Sequence, residues 1–257
     1  MLNYAVCCVP VAPVRIDPDH RSEMINQLLF GECCIVGNAK KDGWIKIENK
    51  LDGYNGWCRQ THFQKIDEAY FNLSDNNLAA GWVNEIKYNG QKMFIPLGSI
   101  IKRKKNGKIL FGKNKVQARV KVWDAANAGK DAETIQEVAF KFLNSSYLWG
   151  GKSVFGIDCS GFTQSVFKFL NIHLQRDAQQ QAKQGELVGF LQQAVCGDLA
   201  FFDNAAGEII HVGILLNTHE IIHAAGKVKI DKIDTEGIID TDSGLRTQKL
   251  RFIKRYI

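Results

Sequence analysis

Near residue 125 the 257-residue chain changes its pattern, and that change constrains what it can fold into. Before it, short apolar runs such as Cys33-Cys34-Ile35-Val36, Trp44-Ile45-Lys46-Ile47 and Gly56-Trp57-Cys58 alternate with turn signals at Gly37-Asn38, Asp42-Gly43 and Asp52-Gly53. Small β-barrels produce that rhythm. A second set follows from about residue 66, with Trp82-Val83, Lys92 to Pro96, Ile100-Ile101, Ile109 to Phe111 and Ala118 to Val120. The phrase Leu29-Phe30-Gly31-Glu32-Cys33-Cys34-Ile35 has a loose echo in Ile95-Pro96-Leu97-Gly98-Ser99-Ile100-Ile101. We read two related small β-barrels, residues 1–65 and 66–125.

After the change, Asp131 is placed to cap a helix running to about Asn144, with Ile135, Val138, Ala139, Phe142 and Leu143 at helical spacing. A second amphipathic helix starts at Asp158 and turns Phe162, Val166, Phe167 and Leu170 toward a core. A short third spans Asp177 to Gln184. Strand-like runs then follow at 199–202, 209–216, 221–224 and 250–256. Helices first and strands after make residues 126–257 an α+β domain.

The chemistry gathers in that domain. Asp158-Cys159-Ser160-Gly161-Phe162 puts a thiol at the start of a helix, where unpaired N–H groups and the helix dipole favour a thiolate. His211 heads the apolar run Val212-Gly213-Ile214, and His223 lies twelve residues on in Ile222-His223-Ala224-Ala225-Gly226. A turn at Asn217-Thr218 makes those two runs a hairpin with the imidazoles side by side. A nucleophile, a base and a group that orients the base are the parts of a cysteine hydrolase. For each residue alone the plain alternative is a buried structural Cys or His. That alternative fits poorly where Asp, Ser and Gly flank the thiol and two histidines stand at hairpin spacing.

Tyr147-Leu148-Trp149-Gly150-Gly151, Asp158 to Phe162, Arg176-Asp177-Ala178, Gly197-Asp198-Leu199, His211 to Ile214 and Ile222 to Gly226 together resemble the NlpC family of papain-like cysteine endopeptidases of bacterial cell-wall peptides. The resemblance covers about residues 130–257 with six motifs in order. The two β modules before it are similar to bacterial SH3-like domains. The whole resembles the γ-D-glutamyl-L-diamino acid endopeptidases that recycle murein peptides. It implies Cys159 as nucleophile, His211 as base, His223 as third polar residue, and Tyr147 as an oxyanion donor beside the Cys159 N–H. It implies Asp158 and Ser160 near the free amine of a terminal L-Ala, Trp149 as a pocket wall, and Glu23 and Tyr54 of the first β module as amine contacts. A murein-derived peptide is the implied partner, with no cofactor and no metal. Two departures stand out: Gln175 where relatives often carry proline, and Ala-Ala-Gly after His223 where Ala-Ser-Gly is commoner. Two other readings stay open, an amidase or acyltransferase of the same superfamily and a non-catalytic cell-wall-peptide binding protein.

Other features narrow the field. His219-Glu220-Ile221-Ile222-His223 matches the H-E-x-x-H pattern of zinc peptidases, which requires a helix. Here the surroundings suit a strand, in which positions four apart are about 13 Å distant and share no metal. Gly151-Lys152-Ser153 lacks the upstream glycine of a phosphate-binding loop, since Ser146 stands in its place. The net charge of +6 favours anionic partners mildly. The densest basic run, Lys102 to Lys105, leads into an Asn106-Gly107 turn and reads as a hairpin end. No aromatic residues interleave it, so nucleic-acid binding is not expected. Seven cysteines without a C-x-x-C spacing read as small buried residues in a reducing compartment, Cys159 excepted. No leader is visible after Met1 and no run approaches a membrane span, so no membrane role is expected. The expected location is the cytoplasm if Met1 is the natural start, and the periplasm or exterior if a leader was trimmed.

Overall fold

The computed structural model describes residues 3–102, 109 and 111–257, so the Arg103–Lys105 run and its Asn106-Gly107 turn lie outside the described residues. Contacts divide the chain into two compact units, Met1–Asn127 with Trp149–Val154, and Ala128–Leu148 with Phe155–Ile257. The fold is richer in β structure than the α+β expectation suggests, with only four α-helices among the described residues.

In the first unit, Met24–Leu29, Val11–Arg15, Asn55–Arg59, Trp44–Asn49, Cys33–Lys41, Asn3–Cys7 and Phe63–Ile66 form one seven-stranded sheet in that order. Several of its strands are buried on both faces. Cys34 packs with Ala5, Cys7, Val14, Leu28, Ile47 and Cys58. Its neighbour Cys33 packs with Val6, Phe30, Ile86 and Ile95 in a second cluster. Adjacent cysteines therefore point to opposite faces, as strand geometry requires, and both find apolar surroundings. All seven cysteines are free; Cys8 and Cys196 are only partly buried.

The second cluster is completed by a three-stranded sheet of Gln91–Pro96, Val83–Tyr88 and Val116–Ala118 and by the pair Asn77–Ala79 and Val122–Asp124. Two expectations change here. Ile100-Ile101 is not a strand but makes a single bridge from Ile100 to Leu78. A one-turn helix, Glu68–Phe71, occupies a stretch with no expected helix, started by Asp67 accepting from the Tyr70 N–H at 2.7 Å. The two echoed phrases share one conformation at their glycines, Gly31 at φ 85° and Gly98 at φ 81°. Gly31 also has no room for a side chain, because an added Cβ would sit 2.1 Å from the Ile100 carbonyl oxygen.

The second unit is organised by a ring. Arg246–Arg255, Leu199–Asp203, Ile209–Leu215, Glu220–Ala225, Lys227–Ile233 and Gly237–Ile239 pair in succession, and the last pairs back onto Arg246–Arg255. Glu186–Val188 adds to the outside of Arg246–Arg255. The expected strands are present, and the expected hairpin turn does join Ile209–Leu215 to Glu220–Ala225. Lys227–Ile233 was not expected, although Lys-Val-Lys-Ile-Asp-Lys-Ile alternates with a period of two.

Asp131 caps the helix Ala132–Phe140 by accepting from the Thr134 N–H at 2.9 Å. That helix stops short of the expected end, and Asn144 takes a left-handed φ of 66°. The third helix shrinks to a single turn, Ala178–Gln181. The second, Cys159–Phe169, is buried along its whole length, polar residues included, rather than on one face. Two of its polar side chains bond inside: Thr163 Oγ1 donates to Gln181 Oε1 at 2.7 Å, and Gln164 Nε2 donates to the Leu174 carbonyl at 2.9 Å.

Candidate active site

Cys159 is the first residue of the buried helix. Asp158 precedes it as N-cap and accepts from the Gly161 N–H at 2.7 Å. That satisfies one free N–H of the first turn and leaves those of Cys159 and Ser160 for other partners. The helix packs on Ile209–Leu215 and Glu220–Ala225, and the thiol faces the backbone N–H groups of Val212 and Ser160.

The strand register brings the histidines together. Gly213 pairs with His223, so His211 is its diagonal neighbour on the same face. His211 Nε2 lies 2.8 Å from His223 Nδ1. Gly213 makes this possible, since a Cβ there would meet the His223 Cβ at 2.8 Å. His223 Nε2 in turn lies 3.0 Å from Asp231 Oδ2 on the next strand. Asp231 is 2% exposed, and its other oxygen accepts from the Thr241 N–H at 2.9 Å. Lys229 Nζ is 3.0 Å from Asp231 Oδ2 and also contacts Asp240.

Asp231 was absent from the sequence reading. The signal was available: a hairpin turning at Gly226 pairs His223 with Lys229 and sets Asp231 two residues further on the same face.

Electrostatics correct one expectation. Burial and the Asp158 carboxylate push the Cys159 thiol up to about 12, against the opposing pull of the Val212 and Ser160 N–H groups and of Arg176. The helix N-terminus is outweighed, and the resting sulfur is a thiol. Burial, with His223 adding to it, lowers His211 to about 3, so its imidazole is neutral. Burial also opposes ionisation of Asp231, but hydrogen bonds from His223, the Thr241 N–H and Lys229 overcome it and hold that carboxyl well below the usual range.

A buried neutral histidine ties stability to pH. His211 is lowered in the folded chain, so between about pH 6.5 and 3 the unfolded chain binds the extra proton. Its contribution is complete above the unfolded value and is lost as the pH falls. The slope is up to about 1.4 kcal/mol per pH unit. His211→Gln keeps a donor toward His223 but does not titrate. Its urea midpoint should fall less steeply than that of wild type from pH 6.5 to 4. Parallel curves for the two proteins would contradict the assignment.

Tyr147 is held beside this group by a backbone bridge to Ile157 and by its N–H donating to the Gly226 carbonyl at 2.9 Å. Burial and the nearby Cys159 and Asp158 raise its phenol, so it remains a donor at neutral pH. Asp158 sits in the fork of Arg176, which is 1% exposed, with Nη1 3.0 Å from Oδ1 and Nη2 2.6 Å from Oδ2. Arg176 Nη1 also donates to Ser160 Oγ at 3.0 Å. Cys159, His211, His223, Tyr147, Asp158 and Ser160 thus all belong to the second unit.

The remaining candidates belong to the first unit. Trp149 Nε1 donates to the exposed Glu23 at 2.6 Å, and Tyr54 is half-buried in the turn between Trp44–Asn49 and Asn55–Arg59. The H-E-x-x-H segment spans the start of the strand Glu220–Ala225 rather than a helix.

The sequence profile of the NlpC/P60 family matches residues 144–246, and that of the bacterial dipeptidyl-peptidase Sh3 domain matches residues 14–63. The chain is 33% identical over 215 residues to the gamma-D-glutamyl-L-lysine dipeptidyl-peptidase of Bacillus subtilis (strain 168), covering 77% of this chain and 71% of that protein. It is 27% identical over 265 residues to the protein of the same name from Bacillus cereus (strain ATCC 10987 / NRS 248), covering 88% and 75%. In fold it is similar to the crystal structure of an NlpC/P60 family protein from Bacillus cereus ATCC 10987, with a TM-score of 0.79, 19% identity and coverage of 98% and 99%.

Proposed function

Since this chain belongs to the NlpC/P60 family of thiol peptidases, we propose that it hydrolyses the amide between the γ-carboxyl of D-Glu and a diamino acid in murein peptides. The observation that carries the reading is a buried pair of histidines 2.8 Å apart, on the two strands against which the helix that begins at Cys159 packs. The names of the two Bacillus relatives supply the bond.

The neutral resting pair sets the order of events. As Cys159 Sγ attacks the carbonyl carbon, its proton passes to His211 Nδ1. The anion that develops is held by the Cys159 N–H and the Tyr147 hydroxyl. The C–N bond breaks as the His211 imidazolium gives its proton to the leaving amine, and a thioester remains. Water, deprotonated by His211, cleaves the thioester and restores the thiol. No cofactor or metal is needed for these steps. The papain-like layout behind two SH3-like barrels, at 1–65 and 66–125, belongs to the same reading. Asp158, Ser160, Glu23 and Tyr54 are its amine-recognising residues for a free N-terminal L-Ala, and Trp149 its pocket wall.

Incubation with L-Ala-γ-D-Glu-diaminopimelate and mass spectrometry test the bond directly. Release of L-Ala-D-Glu is expected, and an intact peptide would sink the proposal and favour the amidase, acyltransferase or binding readings. Glu23→Gln keeps an acceptor for the Trp149 indole but removes the charge. It should lower the preference for free over N-acetylated peptide by about tenfold, the worth of one charge-assisted contact. An unchanged ratio removes Glu23 from amine recognition.

A further inference from the structure

We propose that Asp231 is a positioning residue that fixes the protons of both imidazoles, so that the lone pair of His211 Nδ1 is the one offered to Cys159. The inference rests on the peptidase reading and adds a member to its site.

The argument follows the protons inward from the carboxylate. An ionised carboxylate only accepts hydrogen bonds, so the atom of His223 that faces Asp231 Oδ2 at 3.0 Å, Nε2, must carry a proton. In a neutral imidazole the other nitrogen is then an acceptor, and His223 Nδ1 receives a hydrogen bond across the 2.8 Å contact with His211 Nε2. His211 therefore carries its proton on Nε2 and presents Nδ1 as a base. One carboxylate at the end of the chain decides the state of the nitrogen at its head. When His211 takes the thiol proton, the new charge faces a second imidazole already polarised toward an anion.

The carboxylate is held for this purpose. The Thr241 N–H and Lys229 Nζ bind its two oxygens at 2.9 and 3.0 Å, and it is 2% exposed. With the carboxylate gone, Lys229 keeps its pairing with Asp240, and His223 Nε2 loses the acceptor that fixed its proton. The proton is then free to move to His223 Nδ1, where it points at His211 Nε2 and pushes the His211 proton onto Nδ1. In that state the base is a donor aimed at the thiol.

Asp231→Ala is expected to lower kcat by about 100-fold or more, with KM within about threefold, as when a wrong imidazole tautomer disables a triad. Asp231→Asn retains one acceptor oxygen and should recover part of the loss. The decisive comparison is in a His223→Asn background. There the Asn oxygen takes the place of Nδ1, accepts from His211 Nε2 and has no tautomer to fix. Asp231→Ala should then cost no more than about threefold. An equal loss in both backgrounds would assign Asp231 a merely structural role and overturn the proposal.

Nitrogen-15 NMR of the substrate-free wild type, with histidine-labelled protein, reads the tautomers directly and needs no variant to fold. Both His211 and His223 should be protonated on Nε2, and finding either on Nδ1 overturns the proposal. If that pair is seen but γ-D-glutamyl peptides are not cleaved, the substrate reading has failed and this one stands.

Discussion

Replacing Cys159 by alanine is expected to lower kcat/KM on L-Ala-γ-D-Glu-diaminopimelate by at least about 10⁴-fold, while leaving the protein folded. The side chain is 6% exposed and loses only a sulfur whose neighbours are backbone N–H groups. A buried gap of that size costs on the order of 1 kcal/mol. The reaction loses far more, because no other group at the site can form the acyl intermediate. His211→Gln should fall about as far, since a thiol pushed up to about 12 has no nucleophile to offer until a base takes its proton. Combining the two changes should cost little more than either alone, as expected of residues acting as one unit. A chelator should leave wild type unaffected. Turnover above about 1% in the Cys159 variant would remove the thiol from the chemistry.

The site was legible where chemistry forces a residue type into a local pattern. Asp-Cys-Ser-Gly announces a capped helix start, and two histidines separated by an apolar run and a turn announce a hairpin face. The expected cap and hairpin are in the structure, at Asp158 and across Gly213–His223. What stayed hidden depends on tertiary burial. The charge state of Cys159 followed the helix dipole in sequence, but desolvation and Asp158 outweigh it in the fold. The helix Cys159–Phe169 has an amphipathic spacing, yet the ring of strands and Gln181 bury its polar side too. In the first unit, Cys33 and Cys34 are both buried because two cores lie on opposite faces of one strand, which erases the usual polar alternation. Asp231 was missed for a different reason. An acidic residue in an alternating strand reads as solvent-facing unless its register against His223 is worked out.

Arg176→Met should destabilise the protein by about 3–5 kcal/mol, the cost of leaving a buried carboxylate without its partner. Arg176 is 1% exposed and spans both oxygens of Asp158 at 3.0 and 2.6 Å, so nothing from solvent replaces it easily. Asp158 must remain where it is because it caps the helix Cys159–Phe169 through the Gly161 N–H. Changing it to asparagine removes the charge but keeps a capping oxygen, which serves a helix start about as well. The pair Asp158→Asn with Arg176→Met should therefore recover most of the loss and come within about 2 kcal/mol of wild type. Urea unfolding of the single and double variants measures this. A double variant as unstable as Arg176→Met alone would place the cost in lost packing around the guanidinium instead. The same pairing bears on substrate recognition. A carboxylate with both oxygens in an arginine fork projects less net field onto a substrate amine. What field remains is lost in the folded double variant, whose KM for free-amine peptides should rise about threefold or more above that of wild type. An unchanged KM would mean that the Arg176 fork keeps Asp158 out of amine recognition.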